Sequence, residues 1–170
     1  MKTHRAWMVG SVLFLVAMPA RAADAPVCTK FNWPVDRELT LLQTAHADTG
    51  SGTTLAAAPP LAVALTLVKG AAPPVASERP GDPTKFSGYV AFAAPTAGDY
   101  LVSLSAEAWV DVIQDGKPVR STDHSGDPNC PGLRKSVRFT LGPKPVTIEI
   151  GNSAADRIEL TVTPWYWGAK

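Results

Sequence analysis

Sixteen prolines and thirteen glycines punctuate this 170-residue chain so closely that long helices have little room, which constrains the fold more than any other feature. Between the breaks, apolar residues recur mostly at every second position, the period of a strand with one buried face. Leu61, Val63, Leu65 and Leu67 share one face of the first such run. Phe86, Gly88, Val90 and Phe92 share a face of the next. Tyr100 to Leu104 follows after a turn at 94–98, and these two runs read as neighbouring antiparallel strands. Ala108 to Gln114 leads through Asp115-Gly116 into Lys117 to Arg120, a hairpin signal because Asp-Gly supplies the positive φ angles of a tight reverse turn. Ser121 to Gly132 reads as a polar loop. Ser136 to Leu141, Val146 to Ile150 and Ile158 to Val162 complete the set, with Val146, Ile148 and Ile150 inward and Thr147 and Glu149 outward. Residues 34–47 fit an edge strand or a short helix opened by Pro34; the strand, alone or after a turn, is the expectation. Residues 49–54 and 71–84 read as loops. The class is all-β: one antiparallel β-sandwich, jelly-roll-like, of about seven to nine strands.

The chain opens as a secretory signal does. Lys2 and Arg5 precede an apolar run from Ala6 to Met18, and Ala20-Arg21-Ala22 supplies the small residues that signal peptidase requires, placing the cut before Ala23. Residues 1–22 are thus expected to be removed, and 23–170 to form a single periplasmic or secreted domain. The apolar run is shorter than the ~20 residues that span a bilayer, and no later segment is longer, so no membrane span is expected. Loss of Lys2, Arg5 and Arg21 leaves thirteen Lys and Arg against fifteen Asp and Glu, a near-neutral balance that excludes non-specific nucleic-acid binding. An oxidising compartment lets the only two cysteines, Cys28 and Cys130, pair as a disulfide. Neither stands in C-x-x-C or beside a histidine at ligand spacing.

Ala97-Gly98-Asp99-Tyr100-Leu101-Val102-Ser103-Leu104, followed by Val110-Asp111-Val112-Ile113-Gln114-Asp115-Gly116, resembles the bacterial pre-peptidase C-terminal domains. In that family a Gly-x-Tyr strand precedes an Asp-bearing strand and an Asp-Gly turn. The resemblance covers about a third of the chain. It implies a small exported sandwich with a binding or accessory role, and it transfers no catalytic residue.

Chemistry-bearing residues are few. His124, with Asp123 beside it and Asp127 and Asn129 near, is the candidate for a metal or acid/base site in the 121–132 loop, although such a site needs three or four ligands and the loop's composition is that of a surface turn. There is no G-x-S-x-G motif for a nucleophilic hydrolase. Asp36 with Glu38, or Asp111 with Asp115, are the pairs that glycoside chemistry would use, and a solvated strand face explains them as well. Trp33, Trp109, Trp165, Tyr166 and Trp167 are many for so small a domain: indoles stack on sugars and anchor protein interfaces, and they also close the ends of sandwiches. Arg134, Lys135 and Arg138 form either a cross-strand ladder with Asp111 and Glu149 or a cationic patch for a carboxylate or phosphate. The expected function is an exported, non-enzymatic binding or accessory module for a protein or carbohydrate partner in the cell envelope. Its candidate contact residues are Trp165, Tyr166, Trp167, Trp109, Arg134 and Arg138, and no cofactor is expected. The alternatives are a periplasmic metal- or small-ligand-binding protein using the 121–132 loop, and a small secreted hydrolase.

Overall fold

The computed structural model describes residues 28–75, 77, 79–93 and 95–165; the expectations for the signal segment and for Tyr166 and Trp167 lie outside the described residues. Along the chain run α1 (Asp36–Gln43), β1 (Asp48–Gly50), β2 (Thr53–Leu55), β3 (Leu61–Thr66), β4 (Val68–Lys69), β5 (Phe86–Phe92), β6 (Gly98–Leu104), β7 (Trp109–Gln114), β8 (Lys117–Val119), β9 (Ser121–Gly126), β10 (Lys135–Leu141), β11 (Val146–Ser153) and β12 (Arg157–Pro164). The first sheet has the order β1-β3-β12-β6-β10-β9 and the second β2-β5-β11-β7-β8, with β4 added to β5.

Alternation within the strands builds one core shared by both sheets. Val102 and Leu104 of β6, Val137 and Phe139 of β10 and Leu160 and Val162 of β12 meet Val90 of β5, Val112 of β7 and Ile148 and Ile150 of β11. Each such side chain contributes about 1.5–3 kcal/mol by leaving water. The 7–8 hairpin forms as its Asp-Gly pair requires, with Asp115 at φ 52° and Gly116 at φ 68°.

Four expectations are corrected. The sheets are mixed, since β1 pairs with β3 and β2 with β5 in parallel, so residues 49–54 are not all loop. β5 and β6 lie in different sheets, so the chain passes from one sheet to the other between Phe92 and Gly98 and the two strands do not form a hairpin. Ser121–Gly126 is an edge strand on β10, where ladder hydrogen bonds hold a segment that has almost no apolar side chains. Residues 36–43 are helical, not extended. Val35, Leu39 and Leu42 recur at helical spacing, and Asp36 and Glu38 stand in the first turn, where the helix dipole favours them.

Helix α1 covers the outer face of the first sheet and builds a second, smaller core. Trp33, Val35, Leu42 and Cys130 close over Leu101 and Leu133. Leu101 and Thr163, outward by parity on β6 and β12, are buried as a result. Glu38 is buried too, accepting hydrogen bonds from Arg37 and from the Thr163 hydroxyl at 2.6 Å. The Cys28–Cys130 disulfide forms as expected and ties this N-terminal segment to the loop before β10.

Candidate functional site

The outer face of the second sheet carries the most chemically loaded arrangement among the described residues. On β7, Val110 and Val112 point into the core, so Trp109, Asp111 and Ile113 point away from it. On β11 the same parity sends Glu149 outward between Ile148 and Ile150. The strands pair so that Glu149 stands directly opposite Asp111, and Gly151 opposite Trp109. Glu149 is nevertheless only 2% exposed, because the proline-rich segment 70–83 lies over it. Glu149 thus points outward from the core as expected and is covered there.

Segment 70–83 is fastened by the residues it covers. The Val75 N–H donates to Glu149 Oε1 at 2.8 Å, and the Ser77 hydroxyl donates to Asp111 Oδ2 at 2.6 Å. Asn152, at φ 57° beside a bulge in β11, accepts from the Asp82 N–H at 2.8 Å and donates to the Pro80 carbonyl at 3.2 Å. Asparagine tolerates that left-handed backbone, and the bulge turns its amide toward the segment. Asp111 Oδ1 takes the Trp109 indole N–H at 2.9 Å. Glu149 Oε2, by contrast, is buried with no hydrogen-bond partner among the described residues. Burial raises the Glu149 pKa above its ordinary value; the Val75 N–H opposes the shift and the Asp111 charge adds to it.

A cavity of about 590 Å³ opens under segment 70–83, lined by Trp109, Asp111, Glu149 and Asn152 among others. A second, of about 500 Å³, shares Arg79, Trp109 and Asp111 with the first and continues over Arg120, His124 and Lys135. The half-buried Trp109 ring stands at the junction. The Arg79 guanidinium lies 4.1 Å from its centroid and the Lys135 ammonium 5.3 Å. Lys135 also donates to the Ala108 carbonyl at 3.0 Å, and burial lowers its pKa, with Arg79 and Arg134 pushing the same way against Glu107 and Asp111.

Of the residues singled out from the sequence, the structure gathers Trp109, Asp111, Glu149, Lys135 and His124 here and places the others elsewhere. Arg134 forms an ion pair with Glu107 at 2.6 Å. Arg138 bonds Thr122 at 3.1 Å, lies 3.9 Å from Asp123 and sits 5.2 Å from the Trp165 centroid. The ladder expected between these cations and Asp111 and Glu149 does not form, because Arg134, Lys135 and Arg138 belong to the first sheet side and the two carboxylates to the second. Trp165 is half-buried, edge-on to Trp33 at 5.4 Å and 83°. Trp33 packs outside the shared core, in the cluster under α1. Asp123 and His124 are successive on β9, so their side chains leave opposite faces, and Asp123 Oδ1 accepts the His124 backbone N–H at 2.8 Å. Among the described residues, no group of three or more His, Cys, Asp or Glu is arranged to hold a metal. Asp36 and Glu38 sit on α1, and Asp115 occupies the hairpin turn in an ion pair with Lys144.

Sequence reasoning missed Glu149, Arg79, Arg120 and Asn152 as parts of one site. The available signal was the proline-rich 71–83 stretch, long enough to cover a sheet face, together with outward charges on two strands. Compared with models of known protein families, with curated proteins and with solved structures, the chain gives no match.

Proposed function

We propose that this chain is an exported, non-enzymatic binding module, a β-sandwich of jelly-roll-like form, and that it recognises a carbohydrate in the trough along Trp109. One observation carries the reading: Glu149 lines a cavity of about 590 Å³, and its buried Oε2 has no hydrogen-bond donor among the described residues. Leaving such an acceptor unsatisfied costs about 1–3 kcal/mol, more when it is charged, so a ligand that donates hydrogen bonds on this side of the sheet and draws Glu149 into the cavity is favoured. Carboxylates, an amide and an aromatic edge around one concavity are the donor and acceptor set that polyhydroxylated rings use. The Cys28–Cys130 disulfide supports an oxidising, exported setting. Among the described residues Val68 is the one large hydrophobic that is exposed, which favours a polar ligand over a broad apolar protein interface.

The test is to present the chain from Ala23 onward to an array of oligosaccharides and cell-wall polysaccharides. Retention that weakens in Glu149→Gln and Asp111→Asn under conditions where each variant stays folded supports the reading. Absence of retention on every glycan, or retention indifferent to both substitutions, overturns it.

A further inference from the structure

We propose that the 500 Å³ cavity beside Trp109 is an anion subsite formed by Arg79, Arg120 and Lys135, which takes the acidic substituent of the carbohydrate; the carbohydrate half of this statement rests on the function proposed above. Three cations border this cavity, and the carboxylate that lines it, Asp111, already accepts from Trp109 and Ser77. Among the described residues, none of the three cations is in an ion pair, whereas Arg134 and Arg138 are matched by Glu107 and Asp123. Arg79 and Lys135 crowd the same indole, and their mutual repulsion is relieved when an anion lies between them. Val110, Val119, Val137 and Phe139 form apolar wall beside the half-buried Lys135, so a charge-assisted hydrogen bond to Lys135 is screened less than one to the exposed Arg79 or Arg120.

The three cations come from distant parts of the chain. Arg79 arrives on segment 70–83, Arg120 stands where β8 passes into β9, and Lys135 opens β10. Their convergence depends on the two sheets meeting at this edge. Because both cavities share Arg79, Trp109 and Asp111, a ligand can run from one to the other. Its hydroxyls then meet Glu149 and Asp111, and its carboxylate, sulfate or phosphate meets the guanidinium groups, whose planar fork suits oxyanions.

The experiment titrates the chain from Ala23 onward with a short oligogalacturonate, with its neutral methyl ester and with inorganic phosphate, followed by tryptophan fluorescence and calorimetry. Arg120→Gln is the test variant. Arg157→Gln is the control, since Arg157 borders neither cavity and pairs with Asp48 and Glu159. The acid is expected to bind about ten-fold or more tighter than the ester, an advantage lost in R120Q, kept in R157Q and reduced by salt. Lys135→Met is expected to reduce the same advantage, so a misfolded R120Q does not end the test. Equal affinity for acid and ester, or an advantage that survives R120Q and K135M, overturns the anion subsite and leaves the carbohydrate reading standing. Phosphate binding that R120Q abolishes, with neither sugar bound, sustains the subsite and overturns the carbohydrate reading. Silence from all three probes overturns both.

Discussion

Asp111 and Glu149 are direct cross-strand partners on β7 and β11, two carboxylates where strand pairing ordinarily sets opposite charges or apolar groups. Each is held by one donor from segment 70–83, Ser77 for Asp111 and Val75 for Glu149. The pair therefore links the sheet to the segment that roofs the trough, and protonation of Glu149 bears on the stability of both.

Stability carries a pH signature of that pair. The Glu149 pKa in the folded chain is raised above 4.5, by burial first and the Asp111 charge second. Between the ordinary and the raised value the native chain binds the extra proton, so the Glu149 contribution to stability is present at low pH and is lost as pH rises through the raised value. Urea unfolding of the parent chain and Glu149→Gln across about pH 4 to 8 checks this. The difference, parent minus variant, is expected to fall as pH rises; a rising difference contradicts the assignment.

The disulfide joins residues 102 apart and closes about three quarters of the described span. In the chain-entropy model such a loop contributes about 4–5 kcal/mol. The paired replacement of Cys28 and Cys130 by Ser is expected to lower the unfolding free energy measured in urea by up to about 4–5 kcal/mol. A loss under about 1 kcal/mol means that Trp33, Val35 and Leu42 hold the N-terminal segment by packing alone.

Ile148 is fully buried at the centre of β11. Ile148→Ala is expected to cost about 2–5 kcal/mol, and a loss under about 0.5 kcal/mol shows that the shared core is packed differently.

Trp165 packs edge-on against Trp33 and beside Arg138, and we propose for it a packing role. Trp165→Ala is expected to cost about 2 kcal/mol with glycan retention unchanged. Lost retention at unchanged melting temperature restores the C-terminal aromatics as the contact surface.

The strands were legible because alternation and turn chemistry are local: Val146 to Ile150 and Asp115-Gly116 need no knowledge of their neighbours. The disulfide was legible from the expectation of export and a count of two cysteines. Helix α1 was missed because Val35, Leu39, Leu41 and Leu42 satisfy both periods, and the choice was made by Leu101 and Leu133, which α1 covers. The edge strand β9 was missed because an edge held by ladder hydrogen bonds needs no apolar pattern. The site was the least legible. Glu149 parity was readable, but its burial depends on segment 70–83 folding back over the second sheet, a contact fixed by Ser77, Val75 and Asn152 that leaves no periodic mark.

The central claim, a ligand trough along Trp109, is tested most directly by the indole N–H signals in a proton–nitrogen correlation spectrum of the chain from Ala23 onward. During titration with an oligosaccharide that the array retains, the Trp109 signal is expected to move and to saturate with the binding isotherm, because its N–H bonds Asp111 on the trough wall. The Trp33 and Trp165 signals are expected to stay in place. Movement of Trp165 with Trp109 unmoved contradicts the account.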